Sequence, residues 1–341
     1  RFIVSNTTEA GIVYEDDNKL SDAPANSFPA KLTALLYERF KERLPGFIIL
    51  SCELIDHNGE ELLKCCKKYA LKWELGGDFG LWLERENSFC STLVDRIVTG
   101  FPRDEHKALE ERIGQSDNMM DTAEIFHLWV IQGNHEDELP LQKAGFNVVW
   151  TDNVDPYKKR KVRILNGAHT SMVLAARLYG LETVGECMKD EKVSSLLRKS
   201  VFEEIIPTIG DTEDNRKFGE AVFERFANPF IKHQLLSIAL NSVSKFRARV
   251  LPTILEYKAK NGQYPKILSF SFAALIAFYK TDEANDSEEV VKFMKNASVA
   301  DILKREDYWG EDLSDMYDIV NNWYEKIEKE GVATCYDELL K

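Results

Sequence analysis

The chain has 341 residues, more than one hydrophobic core usually holds, so two domains are expected. Its composition, 44% hydrophobic and 30% charged, is that of a globular protein, and a formal net charge of -13 without any long lysine/arginine block excludes nucleic acid or an acidic membrane as the main partner. An anionic small molecule would need a local cluster of cations.

In chain order, short apolar and partly β-branched runs at 2–5 (FIVS), 47–51 (FIILS), 93–98 (LVDRIV), 126–131 (FHLWVI) and 146–150 (FNVVW) read as strands. Between the first two, PAKLTALLYERFKERL repeats apolar residues at helical spacing, and NGEELLKCCKKYALKW does so after the second. Strands alternating with helices predict a parallel sheet. Cys65 and Cys66 inside the second helix are neighbours about 100° apart, one expected buried and the other exposed.

After Trp150 no strand is predicted, only helices divided by breakers such as Gly180, Gly210, Asn228-Pro229, Leu251-Pro252 and Asn261-Gly262. Asp155-Pro156 reads as a helix start, with Asp as the cap and Pro in the first turn. The expected organisation is an α/β domain over residues 1–154 followed by an all-helical domain over 155–341. The apolar run at 267–279 is too short to span a bilayer and long enough for a buried helix. The six cysteines form no C-x-x-C pair and no histidine pair has H-x-x-x-H spacing, so free thiols in a reducing cytoplasm and no metal site are expected. A dinucleotide-binding domain normally carries G-x-G-x-x-G after its first strand. None of the eighteen glycines fits; Gly76-Gly77-Asp78-Phe79-Gly80 has the wrong spacing.

The most informative stretch is KVRILNGAH, residues 161–169. On an α-helix at about 100° per residue, Lys161, Asn166 and His169 share the side occupied by Leu165, Val162, Met172, Val173 and Ala176. One reading is structural: a lysine snorkelling near a helix start, an amide bonded to backbone, a satisfied core histidine. The other is chemical. Burial among apolar groups pushes a lysine pKa down towards neutrality, an amide can donate to a developing alkoxide, and an imidazole can hold a substrate hydroxyl. Together such groups suit proton transfer at a carbinol.

KVRILNGAHTSM resembles the K-x-x-x-x-N-x-x-H signature of the mannitol dehydrogenase family, the polyol-specific long-chain dehydrogenases. SNTTEAG from Ser5, SCELIDHNG from Ser51, TLVDRI from Thr92 and RFANPFIKHQLLSIALNSVSKFRARVLP from Arg225 are similar to that family in the same order. Within it, CELIDHNG, FPRDE, ELPLQKAGFNVVWTD and PYKKRKVRILNGAHTSM are most like members that interconvert a keto sugar acid and its alditol acid.

The resemblance implies a Rossmann-like domain whose glycine-rich half is absent from these residues, then a mostly helical domain. It also implies NAD as cofactor and a small-molecule sugar acid as substrate. Lys161 would be the general acid/base, Asn166 a donor to the reacting oxygen and His169 the residue that positions the substrate. Ser5, Thr8, Glu9, Asp95 and Arg96 would line the cofactor. Lys245 falls where a substrate-binding arginine stands in mannitol-oxidising relatives, and Arg163, Lys245 and Arg249 are candidates for the substrate carboxylate. Where mannitol-type members carry an asparagine after C-D or C-E, this chain has Leu54, so Asn58 or a water would replace that donor. Mannonate or mannitol specificity is the alternative within the family, and a catalytically silent fragment or interaction module the alternative outside it. The oligomeric state stays open.

Overall fold

The computed structural model describes residues 1–8, 10–103 and 105–341, with Thr99 as backbone only. Two compact units emerge, residues 1–100 with 119–158 and residues 101–118 with 159–341.

In the first unit, strands β1 (Phe2–Ser5), β2 (Ile48–Ser51), β3 (Ser88–Asp95), β4 (Val98–Gly100), β5 (Thr122–Ala123), β6 (Leu128–Gln132) and β7 (Val148–Thr151) form two sheets. The main sheet has the order β1-β2-β3-β6-β7, and β4 pairs with β5 alone. Strands β1, β2 and β3 run parallel with Ser5 opposite Ser51 and Ser51 opposite Ser91. The sheet is not wholly parallel as expected: β6 runs antiparallel to β3, while β6 and β7 are parallel to each other. The connector after β3 carries the helix His106–Ile113, none of whose residues is buried. The strand expected at 93–98 also divides, with β3 ending at Asp95 and β4 starting at Val98.

Every residue of β2 is buried, and its alternating side chains serve two clusters. Ile49 packs with Leu32, Leu36, Leu62, Cys66, Phe79 and Leu83 of helices α1 (Phe28–Lys41), α2 (Asn58–Lys72) and α3 (Gly77–Arg85), while Ile48 and Leu50 pack with Cys90 and Ile131. Helix α1 starts where Ser27 accepts from the Ala30 N–H and a proline occupies the first turn. Helix α2 lies directly on β3: a Cβ on Gly59 would stand 2.6 Å from backbone atoms of Cys90 and Ser91. Cys65 and Cys66 are both buried, because Cys65 is covered at the margin of the helix face that Cys66 centres. All six cysteines are free thiols.

In the second unit, helix Lys266–Tyr279 is buried from Leu268 onward, and its apolar circumference packs against helices Gly167–Tyr179 and Tyr317–Glu330. No helix among the described residues is long and apolar enough to cross a membrane. Two stretches among the described residues, Lys161–Asn166 and Ser200–Ile205, are π-helical. Before the first, helix Asp155–Arg160 is preceded not by an Asp155 cap but by Asn153, whose side chain accepts from the Asp155 N–H at 2.9 Å.

Candidate active site

The π turn reshapes the face on which Lys161, Asn166 and His169 stand. In a straight α-helix positions five apart differ by about 140° around the axis. A turn closed by i→i+5 bonds stacks such positions over one another, so Lys161 and Asn166 come onto one side. The Gly167 N–H marks the widened turn by donating to the carbonyl of Val162, five residues back. From Gly167 the α period resumes to Tyr179, placing His169 one turn after Asn166 on the same side. Gly167 is itself demanded by packing, since a Cβ there would meet the Arg249 carbonyl at 3.2 Å. Lys161 and Asn166 are half-buried and His169 is 6% exposed.

His169 is held by rings rather than by hydrogen bonds. The Phe226 ring stacks on it at 3.9 Å between centroids with 9° between planes, and His233 meets it edge-on at 5.4 Å. Its Nε2 is buried without a hydrogen-bond partner among the described residues. A buried, unsatisfied imidazole nitrogen is costly unless a ligand completes it. Burial, then the nearby His233, Arg249 and Arg225, hold its pKa well below the ordinary histidine value, so the ring is neutral near pH 7.

Cations collect around this ring. Burial and then Lys245 lower the His233 pKa; burial and then Arg249 lower that of Lys245, against a smaller opposing effect of Asp286; burial lowers that of Arg249. The Lys245 ammonium donates to the Ile238 carbonyl at 2.9 Å and the Arg249 guanidinium to the Thr170 hydroxyl at 3.5 Å. In a chain of net charge -13, these groups mostly face like charges and neutral acceptors. Such an arrangement is stabilised by an anion.

Two candidates for substrate binding turn out to be engaged elsewhere. Arg163 is buried with Nη1 donating to Thr253 Oγ1 and Nη2 to Glu256 Oε1, both at 2.8 Å, so it locks the π turn to helix Leu251–Asn261. Asn58 donates to the Glu53 and Thr92 carbonyls and accepts from the Thr92 and Gly59 N–H groups, which satisfies its whole amide and leaves no donor to replace the one missing at Leu54. Leu54 itself is 55% exposed.

In the first unit, Ser5 ends β1 with its hydroxyl on Glu53 Oε2 at 3.1 Å, and Glu53 Oε1 accepts from the Thr7 N–H and hydroxyl at 3.1 and 2.9 Å. Glu53, buried at 2%, thus fixes the loop that leaves β1. Thr8 is exposed in that loop with φ of 72°, a left-handed conformation unusual for a β-branched residue. Glu9 lies outside the described residues. Asp95 ends β3 buried, and Arg96 Nε donates to the Glu124 carbonyl at 2.9 Å while Glu124 accepts from the Ile97 N–H at 2.7 Å. Ser51, at the carboxyl end of β2, has a buried hydroxyl without a partner among the described residues.

Residues 4–143 match the family model described as the mannitol dehydrogenase Rossmann domain, and residues 153–330 the one described as the mannitol dehydrogenase C-terminal domain. The chain belongs to the mannitol dehydrogenase family. Among its relatives is an altronate oxidoreductase of Yersinia enterocolitica, 46% identical over 96% of this chain and 73% of that protein. Its fold is similar to that of a D-sorbitol dehydrogenase in substrate-free form, with a TM-score of 0.82 over 97% of this chain and 74% of that one at 22% identity. It is similar also to Pseudomonas fluorescens mannitol 2-dehydrogenase in a ternary complex with NAD and D-mannitol, with a TM-score of 0.76 over 100% of this chain and 74% of that one, again at 22% identity.

In this mannitol dehydrogenase family member, the π turn and the ring cage supply what the motif spacing alone omits. Phe226, His233 and Glu53 are functional candidates that the sequence does not single out. Glu53 stands within the SCELIDHNG segment, beside the departure at Leu54; Phe226 and His233 stand within the RFANPFIKHQLL segment, but the meeting of His233 with His169 is made by tertiary packing between segments 64 residues apart (233 − 169).

Proposed function

We propose that the protein is an NAD-dependent oxidoreductase that interconverts a keto sugar acid and its alditol acid, with D-tagaturonate and D-altronate as the pair. The observation that carries this reading is the buried, unpartnered Nε2 of His169 set among Lys245, Arg249 and His233, a place that a neutral polyol would leave electrostatically unbalanced. The 46% identity to a protein named altronate oxidoreductase supports the same substrate class.

NAD fits the first unit, where the carboxyl ends of parallel strands present the unpartnered Ser51 hydroxyl and the loop that Glu53 holds. Ser5, Thr8, Asp95 and Arg96 are the residues that would hold it. Bound NADH supplies a hydride to the carbonyl carbon. As the carbonyl electron pair moves to oxygen, the Lys161 ammonium gives its proton to the nascent alkoxide, and in the reverse direction the amine accepts it from the hydroxyl. Asn166 donates to that oxygen, His169 receives a neighbouring hydroxyl on Nε2, and Lys245 with Arg249 holds the carboxylate. With every thiol free, a reducing cytoplasm is the setting in which this enzyme is expected to act.

Initial rates of NADH oxidation with D-tagaturonate, the keto acid related to mannonate, and D-fructose test the assignment. The first is expected to give the highest kcat/KM; a preference for fructose overturns the sugar-acid reading.

A further inference from the structure

We propose that His233 is a specificity-determining residue: its imidazole, edge-on to His169, joins Lys245 and Arg249 in receiving the carboxylate end of the substrate. This rests on the sugar-acid reading above and adds a residue that the K-x-x-x-x-N-x-x-H motif does not contain.

The backbone fixes His233 while its ring stays available. Its carbonyl accepts from the Val184 N–H at 3.0 Å, and the next residue, Gln234, bridges to Thr183. The segment is therefore tied down just before helix Leu235–Ala239 begins. The ring is half-buried, and among the described residues it makes no hydrogen bond; its one ring contact is the edge-on approach to His169. Among the described residues, the charges that act on the two imidazoles are cationic or histidine: His233, Arg249 and Arg225 on His169, and Lys245 on His233. On the adjoining helix Ser242–Arg249, Lys245 and Arg249 are four residues apart and so lie on one face.

These placements divide the labour between two histidines. His169, stacked on Phe226 and deeply buried, offers one nitrogen to a hydroxyl. His233, half-buried and under the influence of Lys245, offers a donor to a charged group. A carboxylate has two oxygens and about four acceptor sites, which an ammonium, a guanidinium and an imidazole N–H can share. A neutral polyol, lacking that group, gains nothing from His233.

The test compares wild type with His233→Phe, which keeps a ring against His169, and His233→Gln, which keeps a donor. Steady-state rates are measured with NADH and either the keto sugar acid or a neutral ketose. His233→Phe is expected to raise KM for the sugar acid roughly ten- to a hundredfold, the loss of one charge-assisted hydrogen bond, with kcat changed less than about threefold and kcat/KM for the ketose lowered by a clearly smaller factor than that for the acid. His233→Gln should recover part of that loss. An unchanged KM for the acid in His233→Phe, or an equal loss on both substrates, overturns the role of His233 while leaving the sugar-acid reading standing. A wild type that reduces the ketose and not the acid overturns both. Thermal melting of each variant separates a fold defect from these outcomes. If His233→Phe does not fold, a KM for the acid raised selectively in His233→Gln supports the role, and a KM equal to that of wild type overturns it.

Discussion

His169 carries the clearest single-residue consequence. In the unfolded chain its imidazole takes up a proton below about 6.5, whereas the folded chain does so only at lower pH. The unfolded state therefore binds more protons in that interval, and stability falls as pH drops below about 6.5. His169→Phe, similar in size and without a titrating group, should flatten the slope of unfolding free energy between pH 7.5 and 5.5 in denaturant titrations, while activity on the sugar acid is lost. An unaltered slope would mean that the ring is solvated after all. Asn166→Ala is expected to lower kcat by about a hundred- to a thousandfold, as removal of an oxyanion donor does, with KM little affected. Loss confined to KM would assign Asn166 to substrate binding alone.

At the scale of elements, two helix starts are decisive. Helix α2 approaches β3 so closely at Gly59 that Gly59→Ala must push backbone apart. A loss of about 2 kcal/mol or more is expected in chemical unfolding, against a gain of up to about 1 kcal/mol if only helix propensity mattered. Glu204 caps the central helix by accepting from the N–H groups of Ile267 and Leu268, both at 2.9 Å. Burial outweighs those donors and pushes its carboxyl from 4.5 up to about 7. Folding then retains a proton that the unfolded chain has released, so this contribution is complete below about 4.5 and is lost as pH rises through about 7. Relative to wild type, Glu204→Gln should gain stability between pH 5 and 8; a difference that stays flat would show the helix N–H groups to dominate.

The periodicity of α1, α2 and helix Lys266–Tyr279 was legible because each repeats its apolar residues along 14 or 15 positions. The direction of β6 was not, since alternation of strand and helix says nothing about whether a connector crosses over the sheet. Nor was the π turn: residues 161–166 look like any amphipathic helix, and only the Gly167 bond to Val162 reveals the extra residue. Site residues named by one motif lie on one helix face, whereas Phe226, His233 and Glu53 reach their partners through tertiary packing that no local pattern encodes.

For the whole molecule, charge is the organising quantity. On the proposed reading, a surface of net charge -13 would repel an anionic substrate at long range, and the cations around His169 would attract it at short range. Added salt should screen the first more than the second, because the Debye length is about 8 Å near physiological ionic strength and buried pairs are screened less. From about 20 to about 150 mM salt, kcat/KM for the sugar acid is therefore expected to hold steady or rise, and a fall of more than about twofold would place the cations in open solvent. The central claim, that Lys161 moves the proton, is tested most directly by the turnover of Lys161→Ala on the keto sugar acid with NADH. A kcat lower by about a hundred- to ten-thousandfold with unchanged melting is the predicted result, and turnover within about twofold of wild type would contradict it.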